Sequence, residues 1–209
     1  MNIEYVLPNE IEKRSFEIID EELDKLGIKL NSDEELVTKR AIHTSADFDY
    51  ARTMTYSNDA VKIALDLIKN GADICTDTNM TLAGINKAVL AKFGGKAFCY
   101  MADEQVAREA KERSITRASV SMEKASKNSK PTIFAIGNAP TALITLKELM
   151  ENGYKPSFII GVPVGFVNVE VAKELIIASD VPYIVNRGRK GGSNIAAAIC
   201  NALLYMCKE

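Results

Sequence analysis

Short apolar runs of strand length, recurring between segments of helical periodicity, constrain this chain more than any other feature. They lie at Ala72 to Thr76, Lys96 to Met101, Thr132 to Ile136, Phe158 to Val162 and Tyr183 to Val185. They are largely apolar rather than alternating, as strands are in a sheet covered on both faces. Strands separated by helices need crossover connections, which are right-handed and make the sheet mainly parallel. The predicted fold is α/β: one domain over residues 1–209, with a mainly parallel, roughly five-stranded sheet, helices on both faces and an N-terminal helical layer. That layer begins with a helix over Asn9 to Leu26, with Ile11, Ser15, Ile18, Ile19 and Leu26 toward one face and Gly27 as its stop. A second helix runs from Asp33 toward His43 with Ser32 as N-cap. A third starts at Ser57, turns Ala60, Val61, Ala64, Leu65 and Ile68 inward, and ends at Asn70-Gly71.

Composition narrows the function. With 47% hydrophobic and 26% charged residues, the chain is not disordered. Twelve Gly and four Cys exclude a collagen-like or disulfide-framework protein. No apolar run approaches the ~20 residues of a membrane span, and Glu4, Pro8, Glu10 and Glu12 interrupt any early leader-like stretch. A soluble, cytoplasmic protein is expected. Net charge is −2, but residues 1–50 carry 13 acids and 6 bases, leaving the remainder basic. Local basic clusters without a globally basic surface suit a discrete anionic ligand and not nucleic acid. Cys75, Cys99, Cys200 and Cys207 form no C-x-x-C pair, and a single histidine cannot complete a zinc-finger set. No metal site is expected, and reduced, buried thiols at Cys75 and Cys99 fit a reducing compartment.

Ligands of parallel sheets bind beyond the carboxyl ends of the strands. Three such ends are unusual here: Gly137-Asn138-Ala139-Pro140-Thr141, Gly161-Val162-Pro163-Val164-Gly165-Phe166-Val167, and Asn186-Arg187-Gly188-Arg189-Lys190-Gly191-Gly192-Ser193. Each leads into a helix, so backbone N–H groups and a positive helix end should face one rim. The last segment supplies three cations within four residues, and Ser193 is placed to cap the final helix. Pro140 suits a first helical turn, and Asn138 either adopts positive φ or projects its amide into the cleft. Neither a Walker A loop nor a G-x-G-x-x-G fingerprint is present. Asp77 or Thr78 should cap the helix after the first long strand.

His43 is the only histidine. An imidazole exchanges protons near neutrality without large perturbation, so it is the first candidate for acid–base chemistry, although a lone histidine also serves as a core residue. A helix would align it with Arg40 and Asp47. Arg113 and Arg117, one helical turn apart, form either a basic ridge or a solvated face. Ser15 by itself is an ordinary helix serine, and Met54, Tyr50 and Tyr56 line either a cavity or the core.

Taken together, Arg14-Ser15-Phe16, Arg40-Ala41-Ile42-His43, Asp77-Thr78-Asn79-Met80, Thr116-Arg117, Gly137 to Leu143, Pro163 to Val167 and Gly188 to Ser193 make the chain resemble the precorrin-8X (cobalt-precorrin-8) methylmutases of cobalamin biosynthesis. The resemblance spans nearly the whole chain. It implies an isomerase that shifts a methyl group from carbon 11 to carbon 12 of a corrinoid macrocycle, giving hydrogenobyrinate or its cobalt counterpart cobyrinate. It implies no separate cofactor, and a homodimer. The catalytic histidine falls on His43 and the substrate contacts on Ser15, Arg40 and Arg117. The C-terminal ligand-facing segment falls on the loop with Arg187, Arg189 and Ser193, and Asn138 joins this set from its strand-end position. One departure is that Val171-Ala172-Lys173 stands where the family commonly has Glu-Ser-Lys. A domain of this length has a radius of gyration of roughly 17 Å, so a large polyacid is more easily held in a cleft completed by a second subunit. The alternatives are a non-catalytic corrinoid carrier and a Rossmann-like enzyme acting on a phosphorylated substrate.

Overall fold

In the computed structural model, which describes residues 3–208, the N-terminal layer comprises α1 (Ile11–Lys25), α2 (Glu35–Ser45) and α3 (Tyr50–Thr53). The chain continues through β1 (Met54–Tyr56), α4 (Ala60–Lys69), β2 (Asp73–Thr76), α5 (Asn79–Gly84), α6 (Lys87–Lys92) and β3 (Ala97–Phe98). It ends with α7 (Glu104–Glu112), α8 (Arg117–Ala125), β4 (Thr132–Ile136), α9 (Pro140–Glu151), β5 (Phe158–Gly161), α10 (Val169–Ile177), β6 (Tyr183–Asn186) and α11 (Ser193–Met206).

The strands form one six-stranded sheet in the order β1-β6-β5-β4-β2-β3. All pairs are parallel except β1 with β6, where Met54 lies opposite Asn186. The five predicted strands all form. The sixth, β1, escaped prediction because its three half-buried residues carry no strand-length pattern. The Lys96 to Met101 run contracts to two residues, since β3 is an edge strand with one neighbour.

Both faces are covered, which explains the apolar runs. Successive residues of β4 alternate between two cores: Ile133 and Ala135 pack beneath α2, α4 and α11, while Phe134 and Ile136 pack beneath α8, α9 and α10. Every residue of β4 is buried. α11 is apolar on most sides because it lies between the sheet and the N-terminal layer, against α2, α4 and α5.

Three local expectations are corrected. On α1 the buried residues are Ile19 and Leu23, continuing a stripe from Phe16, whereas Ile11, Ile18 and Leu26 are exposed. The inner face is therefore rotated from the expected one. Ser32 does not cap α2, which starts at Glu35; the Ser32 hydroxyl turns to Asp33, and the Asn31 side chain accepts the Asp33 N–H. α2 ends at Ser45 with Ala46 at φ 54°, so Asp47 lies beyond the helix that carries His43. The third helix matches its expected stop at Asn70-Gly71, with Ala60, Val61, Ala64 and Ile68 buried.

Candidate active site

After β2 the chain detours to the edge strand β3 and returns to β4 on the other side of β2. The carboxyl ends of β2 and β4 therefore flank the point where the strand order reverses, the usual ligand crevice of such sheets. Here that crevice is closed internally. Asp77, fully buried just past β2, accepts the backbone N–H groups of Gly137 (2.9 Å), Asn138 (2.8 Å) and Ala139 (2.6 Å). The expected set of ligand-seeking amides before α9 is thus already occupied by a carboxylate at a helix N-terminus. Burial pushes the Asp77 carboxyl above its ordinary range, and the three amides oppose that shift.

The neighbouring rim is tied together as closely. Thr78 caps α5 by accepting the Thr81 N–H, and its hydroxyl also meets that of Ser193 at 2.8 Å. Ser193 is consequently the first residue of α11 and not its cap; Gly192 holds the cap position. A Cβ on Gly137 would lie 2.7 Å from the Ser193 Cα, and one on Gly191 would lie 2.1 Å from the Val162 carbonyl oxygen. Glycine is therefore needed at both positions for the three strand ends to pack backbone to backbone. Pro140 stands in the first turn of α9 as expected, and Asn138 has negative φ with its side chain exposed at the rim.

The cations of the terminal loop are paired. Arg187 Nη1 donates to both carboxylate oxygens of Glu174 (2.6 and 2.7 Å), Arg189 Nε reaches Glu170 at 2.8 Å, and Lys190 bridges Asp47 and Asp49. Arg189 also lies over the Phe166 ring, 5.7 Å from its centroid. Phe166 and Val167 are 82% and 79% exposed, so an apolar tip stands directly beside the loop cations.

His43 lies on the seam between α2 and α1. It is exposed, and its ring is 5.6 Å from that of Phe16, tilted by 30°. Arg40, one turn earlier, lies over the same Phe16 ring, 4.8 Å from its centroid, and 5.8 Å from that of Tyr205, and donates to Glu12 at 2.6 Å. That bond holds the Glu12 carboxyl below its ordinary range, with His43 adding to the effect. The Arg40 Nε is buried without a partner. Ser15 is half-buried, its hydroxyl donating back to the Ile11 carbonyl at 2.8 Å.

The predicted residues thus fall into groups. His43, Arg40 and Phe16, the neighbour of Ser15, meet at the α1–α2 seam. Gly137, which precedes Asn138, packs against Ser193, and the start of α8 reaches the first turn of α9 through the Thr116 hydroxyl, 2.9 Å from that of Thr141, beside exposed Arg117. Arg187 and Arg189 form a third group above α10. The Asp47–Lys190 pair links the end of α2 to that loop. Asp47 is therefore committed to Lys190 and to the Asp49 N–H and does not orient His43. Arg113 and Arg117 belong to different helices, separated by Ser114 at φ 52°, so they form no shared ridge; Arg113 is held by Glu109 and Glu123. The sequence offers Asp77 only as a cap for α5, and neither Glu12 nor Lys173 is among its candidate site residues. The signal for Lys173 is a lysine on the inner stripe of α10, aligned with Val169, Ala172 and Ile176.

The model of the precorrin-8X methylmutase family matches residues 10–206. The chain belongs to the precorrin-8X methylmutase family. It is 44% identical over 200 residues to the cobalt-precorrin-8 methylmutase of Priestia megaterium, covering 95% of this chain and 88% of that protein. It is 45% identical over 176 residues to the enzyme of the same name from Salmonella typhimurium, covering 84% and 82%. Among solved structures, the precorrin-8X methylmutase of Thermus thermophilus superposes with a TM-score of 0.86 at 36% identity, covering 95% of this chain and 98% of that one. The methylmutase fold is thus shared across the sheet and both helical layers.

Proposed function

We propose that this protein is an isomerase of corrin-ring biosynthesis, moving a methyl group from carbon 11 to carbon 12 of precorrin-8X or cobalt-precorrin-8 to give hydrogenobyrinate or cobyrinate. The observation that carries this reading is an exposed imidazole, His43, beside Phe16 and the Arg40–Glu12 pair, in a chain matched to the methylmutase family over residues 10–206. The migrating methyl is neutral, so no leaving group needs stabilising and no nucleophile is required. His43, as imidazolium, donates a proton or strong hydrogen bond to a ring nitrogen and stabilises the π-charge that migration redistributes. Assistance of this kind is worth about 10²–10⁴-fold. No cofactor takes part, and cobalt, where present, belongs to the substrate.

The macrocycle's carboxylate arms are received by Ser15, Arg40, Arg117, Asn138, Arg187, Arg189 and Ser193. Charge-assisted bonds of this type contribute roughly 1.5–3 kcal/mol each. Arg40 is paired with Glu12, Arg187 with Glu174 and Arg189 with Glu170, so binding is an exchange of one carboxylate for another. That exchange lets a protein of net charge −2 hold a polyanion. Exposed Phe166 and Val167 offer apolar contact to the ring itself.

The whole chain acts as one domain, and two copies form a homodimer with a shared active site. The open position of His43 and the exposed Ile3, Tyr5, Leu7 and Ile11 of the N-terminal segment support this; light scattering should give a dimer, and a concentration-independent monomer would contradict it. No helix among the described residues is long and apolar enough to cross a membrane. The free thiols of Cys75, Cys99, Cys200 and Cys207 support a reducing compartment, the cytoplasm. Asp77 already fills the Gly137 to Ala139 amides, which removes one of the three strand-end loops as a seat for the phosphate of a phosphorylated substrate. In the deciding experiment His43→Ala loses turnover while still binding product. Near-normal turnover in that variant rejects the mechanism and favours a carrier.

A further inference from the structure

Lys173 is fully buried on α10, in a stripe otherwise made of Val169, Ala172 and Ile176. Its Nζ donates to the Gly188 carbonyl at 2.7 Å and to the Lys190 carbonyl at 2.8 Å. Asn186, buried at the end of β6, donates its Nδ2 to the same Lys190 carbonyl at 2.6 Å, while its Oδ1 is left without a partner. On either side of Lys173 along α10, Glu170 holds the side chain of Arg189 and Glu174 that of Arg187. One turn of α10 therefore holds the loop at four successive residues, alternately by side chain and by carbonyl.

A buried ammonium with no carboxylate bonded to it is costly. Methionine would fill the same volume without that cost, so apolar packing does not account for lysine here. The two carbonyls do. Both belong to the loop between β6 and α11, and neither is paired within a helix or strand. We propose that Lys173 is a positioning residue, gripping the backbone of Gly188 to Lys190 from beneath so that Arg187 and Arg189 are presented together at the rim. It touches no substrate and acts through the two arginines. The inference rests on the reading that this loop receives the macrocycle's carboxylates.

The test compares the full-length wild type with Lys173→Met, an uncharged side chain of similar length. Two readouts are taken: native-state trypsin cleavage after Arg187, Arg189 and Lys190, and steady-state kinetics with the corrinoid substrate. Cleavage in this loop should accelerate selectively over other sites. KM should rise about tenfold, the equivalent of one ligand contact, with kcat staying near the wild-type value. Loop cleavage no faster than in wild type overturns the grip. Faster loop cleavage with an unchanged KM overturns the positioning role. If Lys173→Met does not accumulate, Asn186→Ala, which removes one of the three hydrogen bonds to the loop carbonyls, carries the same two readouts at smaller amplitude, and unchanged values for it overturn the proposal. The cleavage readout is independent of the reaction, so failure of the methylmutase reading is distinguishable: it would show as absent wild-type turnover with the loop still protected.

Discussion

Replacing Asp77 by Asn tests how the ligand rim is held together. The carboxylate receives three backbone N–H groups, one on Oδ1 and two on Oδ2. An asparagine offers one acceptor oxygen. Whichever way its amide turns, the NH₂ group faces at least one backbone donor, so one or two bonds are lost and a donor is set against a donor. A buried donor left unsatisfied costs about 1–3 kcal/mol, and losing the charge at the N-terminus of α9 is offset by relief of the burial cost that holds the Asp77 carboxyl above its ordinary range. The expected destabilisation is about 3 kcal/mol. For a chain of this size that lowers Tm by about 6–12 °C. Calorimetry measures the shift, and amide exchange at Gly137, Asn138 and Ala139 should rise by more than at the centre of β4. A Tm within about 2 °C of wild type, or unchanged exchange at those three amides, would refute the reasoning.

Two further outcomes follow from the same geometry. Gly191→Ala should cost at least about 3 kcal/mol, because φ is 152° and the new Cβ would meet the Val162 carbonyl oxygen at 2.1 Å. Gly188→Ala, at φ 78° with nothing within 4 Å, should cost only about 1 kcal/mol; equal losses in urea titrations would show that the close approach is not the cause. Burial lowers the Lys173 ammonium from 10.5 to about 8, so between those values the unfolded chain binds the extra proton and stability rises with pH. The difference amounts to about 3 kcal/mol. The stability of wild type relative to Lys173→Met should therefore improve from pH 7 to pH 10, and a pH-independent difference would contradict it.

The strands of this protein were legible because burial on both faces leaves the same mark on each: Thr132 to Ile136 reads as apolar whichever core its residues enter. β1 was not legible, since three residues paired at an edge need no apolar run. The loops at the strand ends were legible as places where glycine and proline cluster, and the structure gathers three of them at one rim. Their state was not. Arg187, Arg189 and Lys190 read as open cations, yet Glu174, Glu170, Asp47 and Asp49 meet them from segments 13 to 143 residues away. The Gly137 to Ala139 amides read as vacant, but they are filled by Asp77 from 60 residues upstream.

The amino-acid sequence by itself determined the α/β class, the covered parallel sheet, the strand-end loops and the family, because periodicity and short motifs are local properties of the chain. Tertiary structure decided which polar groups remain available to a ligand. That depends on partners brought together across the sheet, and buried donors and charges take whichever partner the packing supplies before any ligand arrives. Lys173 shows the distinction most plainly: local pattern places it on the inner stripe of a helix, and only the folded chain puts two loop carbonyls within its reach.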